Sequence, residues 1–379
     1  MNTFTIFENN KLTQLYIENE AHEGVKRIGA RVACDIGLVT DIAPEILTAP
    51  QQCKSDRVVI CATLGKSPFL EMLEASGRWS SAQIRGKREV YQVQVVSEPF
   101  ADMASVKEAL VIAGSDKRGT IYGMFRLSEL CGVSPLIYWG DVVPQKKDTV
   151  ILPIGDGLVS KEPSVRYRGF FINDEWPAFG NWCMETFGGV NAKAYEEIFI
   201  LLLRLKGNYL WPAMWDSVFS EEGPGLASAE LADMYGVVMG TSHHEPLCRA
   251  GAEWQRIYQR YGTDNTWGFV SNREAITEFW KDGILRNKPF ENVITIGMRG
   301  ESDSMLLPED AGLADNVQVI KDAIMAQHAL LREYMDKDLK DIPRMLAIYK
   351  EVEDYYYGDA TCEGLRGWEE LDDVILLLC

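Results

Sequence analysis

Six short apolar segments, five of them trailed by polar residues and most of them by a helical pattern, set the frame of this chain from residue 166 onward. They are Arg168 to Ile172, Asn208 to Trp211, Gly236 to Gly240, Val293 to Gly297, Met345 to Tyr349 and Val374 to Leu378. Between them, apolar residues recur with helical spacing at about 191–206, 226–234, 250–261, 270–285 and 314–336. Short strands alternating with helices imply parallel pairing, because a parallel partner is reached only through a crossover connection. A barrel and an open doubly wound sheet both satisfy that rhythm. The polar residues choose between them. They crowd after nearly every strand, whereas an open sheet gathers them at one switch point. The expected fold over 166–379 is therefore a (β/α)8 TIM barrel with about six of its eight strands.

Residues 1–160 read as a separate α/β domain. Arg57 to Leu64 has the pattern of a buried strand, Glu89 to Val96 alternates, and Ala109 to Ala113 is a third strand, with helices at about 22–40 and 118–131. Pro144 to Lys161 is rich in turn formers and reads as a linker. Charge marks the same boundary. Residues 1–165 hold 18 Lys/Arg and 20 Asp/Glu, whereas 166–379 hold 20 and 36, which carries most of the net −18. So acidic a chain lacks the clustered cations that nucleic acid or an anionic membrane requires. No apolar run approaches the roughly 20 residues of a membrane span. The opening Met1-Asn2-Thr3-Phe4-Thr5 has neither a basic n-region nor an apolar h-region, so no signal peptide is expected, and the eight cysteines include no Cys-x-x-Cys. Free thiols and a cytoplasmic location are expected.

The chemistry is written at five strand ends. Asn173-Asp174-Glu175-Trp176-Pro177 follows the first, Pro212 to Asp216 the second, and Thr241-Ser242-His243-His244-Glu245-Pro246 the third. Met298-Arg299-Gly300-Glu301-Ser302-Asp303 follows the fourth, and the fifth runs into Lys350-Glu351-Val352-Glu353-Asp354. Paired carboxylates on one rim suit glycoside hydrolysis, in which one protonates the leaving oxygen and the other activates water or attacks. Trp211 and Trp215 offer flat faces for sugar rings, although one of the two is expected in the core. Asp174 and Glu175 serve as well for a helix cap or a pairing with Arg168 as for a substrate contact. His-Glu-x-x-His is absent and the histidines number four, so no metal is expected. Gly65-Lys66-Ser67 lacks the earlier glycine of a P-loop, position 60 being Ile60, so no nucleotide or other cofactor is expected.

Together, RGFFINDEWP (168–177), NYLWPAMW (208–215), ELADMYGVVMGTSHHEPL (230–247), ITIGMRGESD (294–303) and YKEVEDYYY (349–357) closely resemble glycoside hydrolase family 115. ATLGKSP (62–68), IRGKREVY (84–91) and AGSDKRGTIYGMFRLSELCGVSP (113–135) resemble the family's N-terminal domain. The resemblance implies an inverting α-glucuronidase. Such an enzyme removes glucuronic acid or its 4-O-methyl ether from the α-1,2 linkage to xylose in glucuronoxylan or its oligosaccharides, commonly as a homodimer. It implies Glu245, Asp303 and Glu351 as essential carboxylates, with Asp303 and Glu351 at the anomeric centre and Glu245 positioning substrate or water. Arg299 is implied for the uronate, and His243, His244, Asn173, Asp174 and Trp211 for the rest of the sugar, with Lys117 and Arg118 also in reach.

In the family, the strand matching Val374 to Cys379 is followed by an Asp-Asp-Asn block of the catalytic set. The chain is thus expected to be a C-terminally truncated fragment, inactive or unstable by itself. The alternatives are a non-catalytic carbohydrate-binding remnant, which binds aldouronic acid without turnover, and a glycosidase for another sugar such as a hexosaminide.

Overall fold

In a computed structural model that describes residues 2–173 and 176–378, the apolar run around Val59 forms the strand Arg57–Thr63, buried along all but its first residue. It lies central in a six-stranded sheet of order Ile46–Leu47, Gln14–Tyr16, Arg57–Thr63, Glu108–Gly114, Tyr91–Ser97, Leu158–Val159. The first four strands are parallel, and Tyr91–Ser97 runs antiparallel to both of its neighbours. Helices Glu23–Thr40 and Lys117–Cys131 sit where their spacing placed them. Asp116 starts the second by accepting from Gly119 N–H at 2.7 Å, and Gly132 ends it at φ 104°, a left-handed position that suits glycine.

The segment 144–161 is not a linker. Val150–Pro153 pairs with Thr3–Glu8, and Leu158–Val159 extends the main sheet, so the turn formers mark two tight returns. This first unit comprises Met1–Arg168 with Glu197–Asn208 and Met234–Gly236. Inside it, Arg204 and Asp35 form a buried ion pair at 2.8 Å, with the guanidinium over the Phe125 ring. Removing one member of such a pair strands the other charge, at about 3–5 kcal/mol. Asp35→Ala should lower the unfolding free energy by that amount in urea titration. A change below about 1 kcal/mol would show that water reaches the pair. Arg168 pairs with Glu89, which also meets Arg118 and Asn208.

The second unit comprises Gly169–Glu196, Tyr209–Asp233 and Val237–Cys379. Its strands are Gly169–Phe171, Tyr209–Trp211, Val238–Met239, Ile294–Thr295, Arg344–Ile348 and Val374–Leu378. They pair in parallel in chain order, as two three-stranded sheets. A parallel bridge from Met239 to Asn292 joins the two, with Val293 N–H donating to Met239 O at 2.9 Å. Gly169–Phe171 and Val374–Leu378 are the outer strands of the series, and Phe171 and Leu378 are exposed. Helices Arg273–Asn287 and Leu313–Tyr334 bury Phe279, Trp280, Ile320 and Ile324 against Leu346 and Ile348. The inner strands are buried, and polar side chains follow their carboxyl ends. No helix among the described residues is long and apolar enough to cross a membrane.

Candidate active site

Arg299 follows the strand Ile294–Thr295, and its side chain is only 3% exposed. Its Nε and Nη2 donate to Glu351 Oε1 at 3.0 and 2.8 Å, and Nη2 also reaches Oε2 at 2.7 Å. Its Nη1 faces Asp303 Oδ1. One guanidinium therefore holds two carboxylates, one from its own loop and one from the end of the adjacent strand Arg344–Ile348. The fork of an arginine is suited to this, since its two edges present separate pairs of donors.

Asp303 is the more heavily engaged carboxylate. His243 Nε2 lies 2.7 Å from Oδ1, and Lys350 Nζ donates to Oδ2 at 3.1 Å. Ser302 and Asp303 take φ values of 54° and 66°, so the loop turns back instead of continuing as a helix. Lys350 is also left-handed, at φ 50°. Strained backbone concentrated at converging polar groups is typical of functional sites.

Both histidines are neutral at ordinary pH. Burial, then the Arg299 and Lys350 charges, push His243 down to about 4. Burial, then His243, Arg299 and Lys350, push His244 down to about 3. The His243–Asp303 contact is thus a hydrogen bond from a neutral ring with its proton on Nε2, not an ion pair. His244 stacks on Trp215 at 5.5 Å and meets Ser242 Oγ through Nδ1.

Glu245 lies apart from this cluster. It is 2% exposed, and its carboxyl accepts from Gly251 N–H at 2.8 Å and from Ser242 at 3.2–3.3 Å. Burial pushes it up to about 8, outweighing those hydrogen bonds. The consequence for stability has a definite sign. Between the ordinary value of 4.5 and about 8, the folded state keeps a proton that the unfolded chain has released, so stability falls as pH rises through that range. The two histidines act on the other side, where the unfolded chain gains protons below 6.5 that the folded state refuses. Glu245→Gln should flatten the fall of a Tm-against-pH curve between about pH 6.5 and 8 and steepen its rise just below 6.5, where Glu245 no longer offsets the two histidines. An unchanged alkaline limb would show that Glu245 titrates as an ordinary carboxyl.

The remaining predicted residues fall into place around this core. Trp211 is half-buried with its ring 6.5 Å from His243, and Trp215 is 39% exposed and donates to Asn173 Oδ1 at 2.8 Å. Neither tryptophan is a core residue, contrary to the expectation for one of them. Gly240 makes the approach possible, because a Cβ there would lie 2.1 Å from the Tyr209 hydroxyl and 2.8 Å from the Trp211 ring. Asp174 and Glu175 lie outside the described residues. Arg118, expected within reach of the pocket, is tied to Glu89 and to Gly236 O.

Lys350 and Tyr349, given no role of their own from the sequence, join the site. The Tyr349 ring packs 4.8 Å from His243 and lies under both Arg299 and Lys350, at 5.5 and 5.1 Å. Their signal was position, one and two residues before Glu351 at a strand end. His243, His244 and Asp303 place potential ligand atoms within 4.8 Å of one another. Arg299 and Lys350 on the same carboxylate oppose a cation there.

A sequence model of glycosyl hydrolase family 115 matches residues 160–379. Among solved structures, a family GH115 4-O-methyl-α-glucuronidase, BtGH115A, described as having specificity for decorated arabinogalactans, aligns with a TM-score of 0.78 at 29% identity. The match covers 98% of this chain and 45% of that one, so the chain spans less than half the length of the structure it matches. A chitobiase from Flavobacterium johnsoniae aligns over 92% of this chain and 53% of its own, with a TM-score of 0.52 at 13% identity, which is a likeness of fold alone. A search of curated protein sequences returned no match.

Proposed function

From the premise that the chain belongs to glycosyl hydrolase family 115, we propose that the protein is an α-glucuronidase that releases glucuronic acid or 4-O-methylglucuronic acid. The observation that carries this reading is the Asp303–Arg299–Glu351 cluster at the ends of adjacent parallel strands. Two carboxylates set on one rigid cation beside aromatic rings form the acid–base pair of a glycosidase. Three donors converge on Asp303, an arrangement suited to the base that draws a proton from the attacking water. Glu351, on the other edge of the guanidinium, is the acid. It takes up a solvent proton on Oε2 in place of the Nη2 contact, keeps its Oε1 contacts, and passes that proton to the departing sugar oxygen. Water attack opposite the leaving group then gives inversion. Neutral His243 fixes Asp303, and Trp215, Trp211, His244 and Asn173 form the sugar wall. Glu245, behind that wall, shapes the His243–His244 loop from below.

We also read the six ordered parallel strands as an arc of a (β/α)8 barrel. Their sequential order and the gathering of functional side chains at their carboxyl ends support it. For the leaving portion, the reading is xylose in a glucuronoxylan-derived oligosaccharide. A second reading, a galactose-based polysaccharide, is favoured by the specificity described for BtGH115A.

The test is incubation with 4-O-methylglucuronosyl xylo-oligosaccharides and, in parallel, with uronate-decorated arabinogalactan, following the released acid by NMR. The β-anomer appearing first from an α-linked donor is the expected result. First appearance of the α-anomer would overturn inversion, and binding of the oligosaccharide without release would favour a non-catalytic carbohydrate-binding protein.

A further inference from the structure

An α-glucuronidase must hold a carboxylate next to carboxylates. In a pyranuronate the carboxyl group on C5 is separated from the anomeric carbon by only C5 and the ring oxygen. The cation that recognises it must therefore lie within one sugar's width of Asp303 and Glu351. Resting on the glucuronidase reading, the geometry points to Lys350, not Arg299, as the residue that binds the uronate and sets the preference for an acidic sugar.

Arg299 is unsuited because its guanidinium is already committed. Nε and Nη2 are on Glu351, Nη1 faces Asp303, and the side chain is 3% exposed. Turning it toward substrate would leave two partly buried carboxylates without their shared cation. Arg249 and Arg286, also in this unit, are held by Glu253. Lys350 differs on each count. Its side chain is 49% exposed, it holds Asp303 Oδ2 through a single 3.1 Å contact, and its ammonium lies 5.1 Å from the centre of the Tyr349 ring. A compact ammonium on a flexible stem can keep that contact and still offer its other protons to a second carboxylate. The backbone aims it there at a cost, since φ 50° with ψ −128° is a conformation that side-chain-bearing residues avoid. The neighbouring charges also call for it. Asp303 and Glu351 balance Arg299 and Lys350, so an arriving uronate is tolerated only where an ammonium faces it directly.

The experiment compares methyl α-D-glucuronoside with methyl α-D-glucoside, which lacks only the acid, by calorimetry on the unaltered protein and on Lys350→Met, Lys350→Gln and Lys350→Arg. Turnover of 4-nitrophenyl α-glucuronoside is followed alongside. The unaltered protein should prefer the uronoside. Met and Gln should each reduce that preference about 10- to 100-fold, as expected for a lost charged hydrogen bond, with the change falling on KM more than on kcat. Arg should restore part of it. If Lys350 serves only to hold Asp303, both glycosides lose alike and kcat falls instead, which would overturn the assignment. If the preference survives in Met and Gln, the assignment is likewise wrong while the glucuronidase reading stands. If the unaltered protein shows no preference for the uronoside, the glucuronidase reading itself fails and the assignment falls with it.

Discussion

Asp303→Asn is expected to lower kcat/KM for release of 4-O-methylglucuronic acid from a xylo-oligosaccharide by about 10³-fold, with Tm changed by only a few degrees. The size follows from the role. Removing a positioned general base forfeits a factor of about 10²–10⁴, and asparagine keeps the volume and one acceptor oxygen, which serves His243 while the contact of Lys350 to the second oxygen is lost. The amide cannot take up the proton of the attacking water, so the loss should fall on kcat and leave uronoside affinity near its original value. Stopped assays and calorimetry on the same preparation separate the two. A drop below about tenfold would remove Asp303 from the chemistry and return the base to Glu351 or to a residue outside the described set. A collapse of Tm would show instead that Asp303 is a structural anchor for the turn at Ser302.

The strand ends are legible in the amino-acid sequence because the period changes there. An apolar run that stops and is followed by charged and aromatic residues has few uses other than a rim. That pattern brings Asn173, Trp211, His243, His244, Arg299, Asp303 and Glu351 into one neighbourhood. It does not say which donor meets which acceptor. Arg299 and Asp303 are four apart, a spacing that pairs side chains on a helix, yet here the pair forms across a turn with two left-handed residues. Whether Arg299 faces solvent or protein depends on Glu351, which is 52 residues away and arrives on another strand. Glu245 illustrates the same limit. Nothing in its sequence neighbours shows that Gly251 N–H closes over its carboxyl and that the group is buried. The segment 144–161 imitates a linker because Pro and Gly there end strands, which local composition does not distinguish from linking domains.

Arg299→Met carries the widest consequence of any single change at the site. Methionine fills part of the arginine's volume without charge and leaves Glu351 and Asp303 facing each other near a half-exposed lysine. Losing one member of a buried network costs about 3–5 kcal/mol, so urea unfolding should shift by that order. The chemistry should fail as well. The pair would lose both its spacing and the cation that lets two carboxylates share one rim, and activity should fall by at least the roughly 10³-fold expected of Asp303→Asn. Arg299→Lys separates the two contributions. It restores a point charge without the fork, so stability should recover in part while activity stays low, because an ammonium lacks the paired Nε and Nη2 donors that hold Glu351. Should Arg299→Lys recover activity together with stability, charge alone would be the requirement. The bidentate geometry would then be incidental to catalysis.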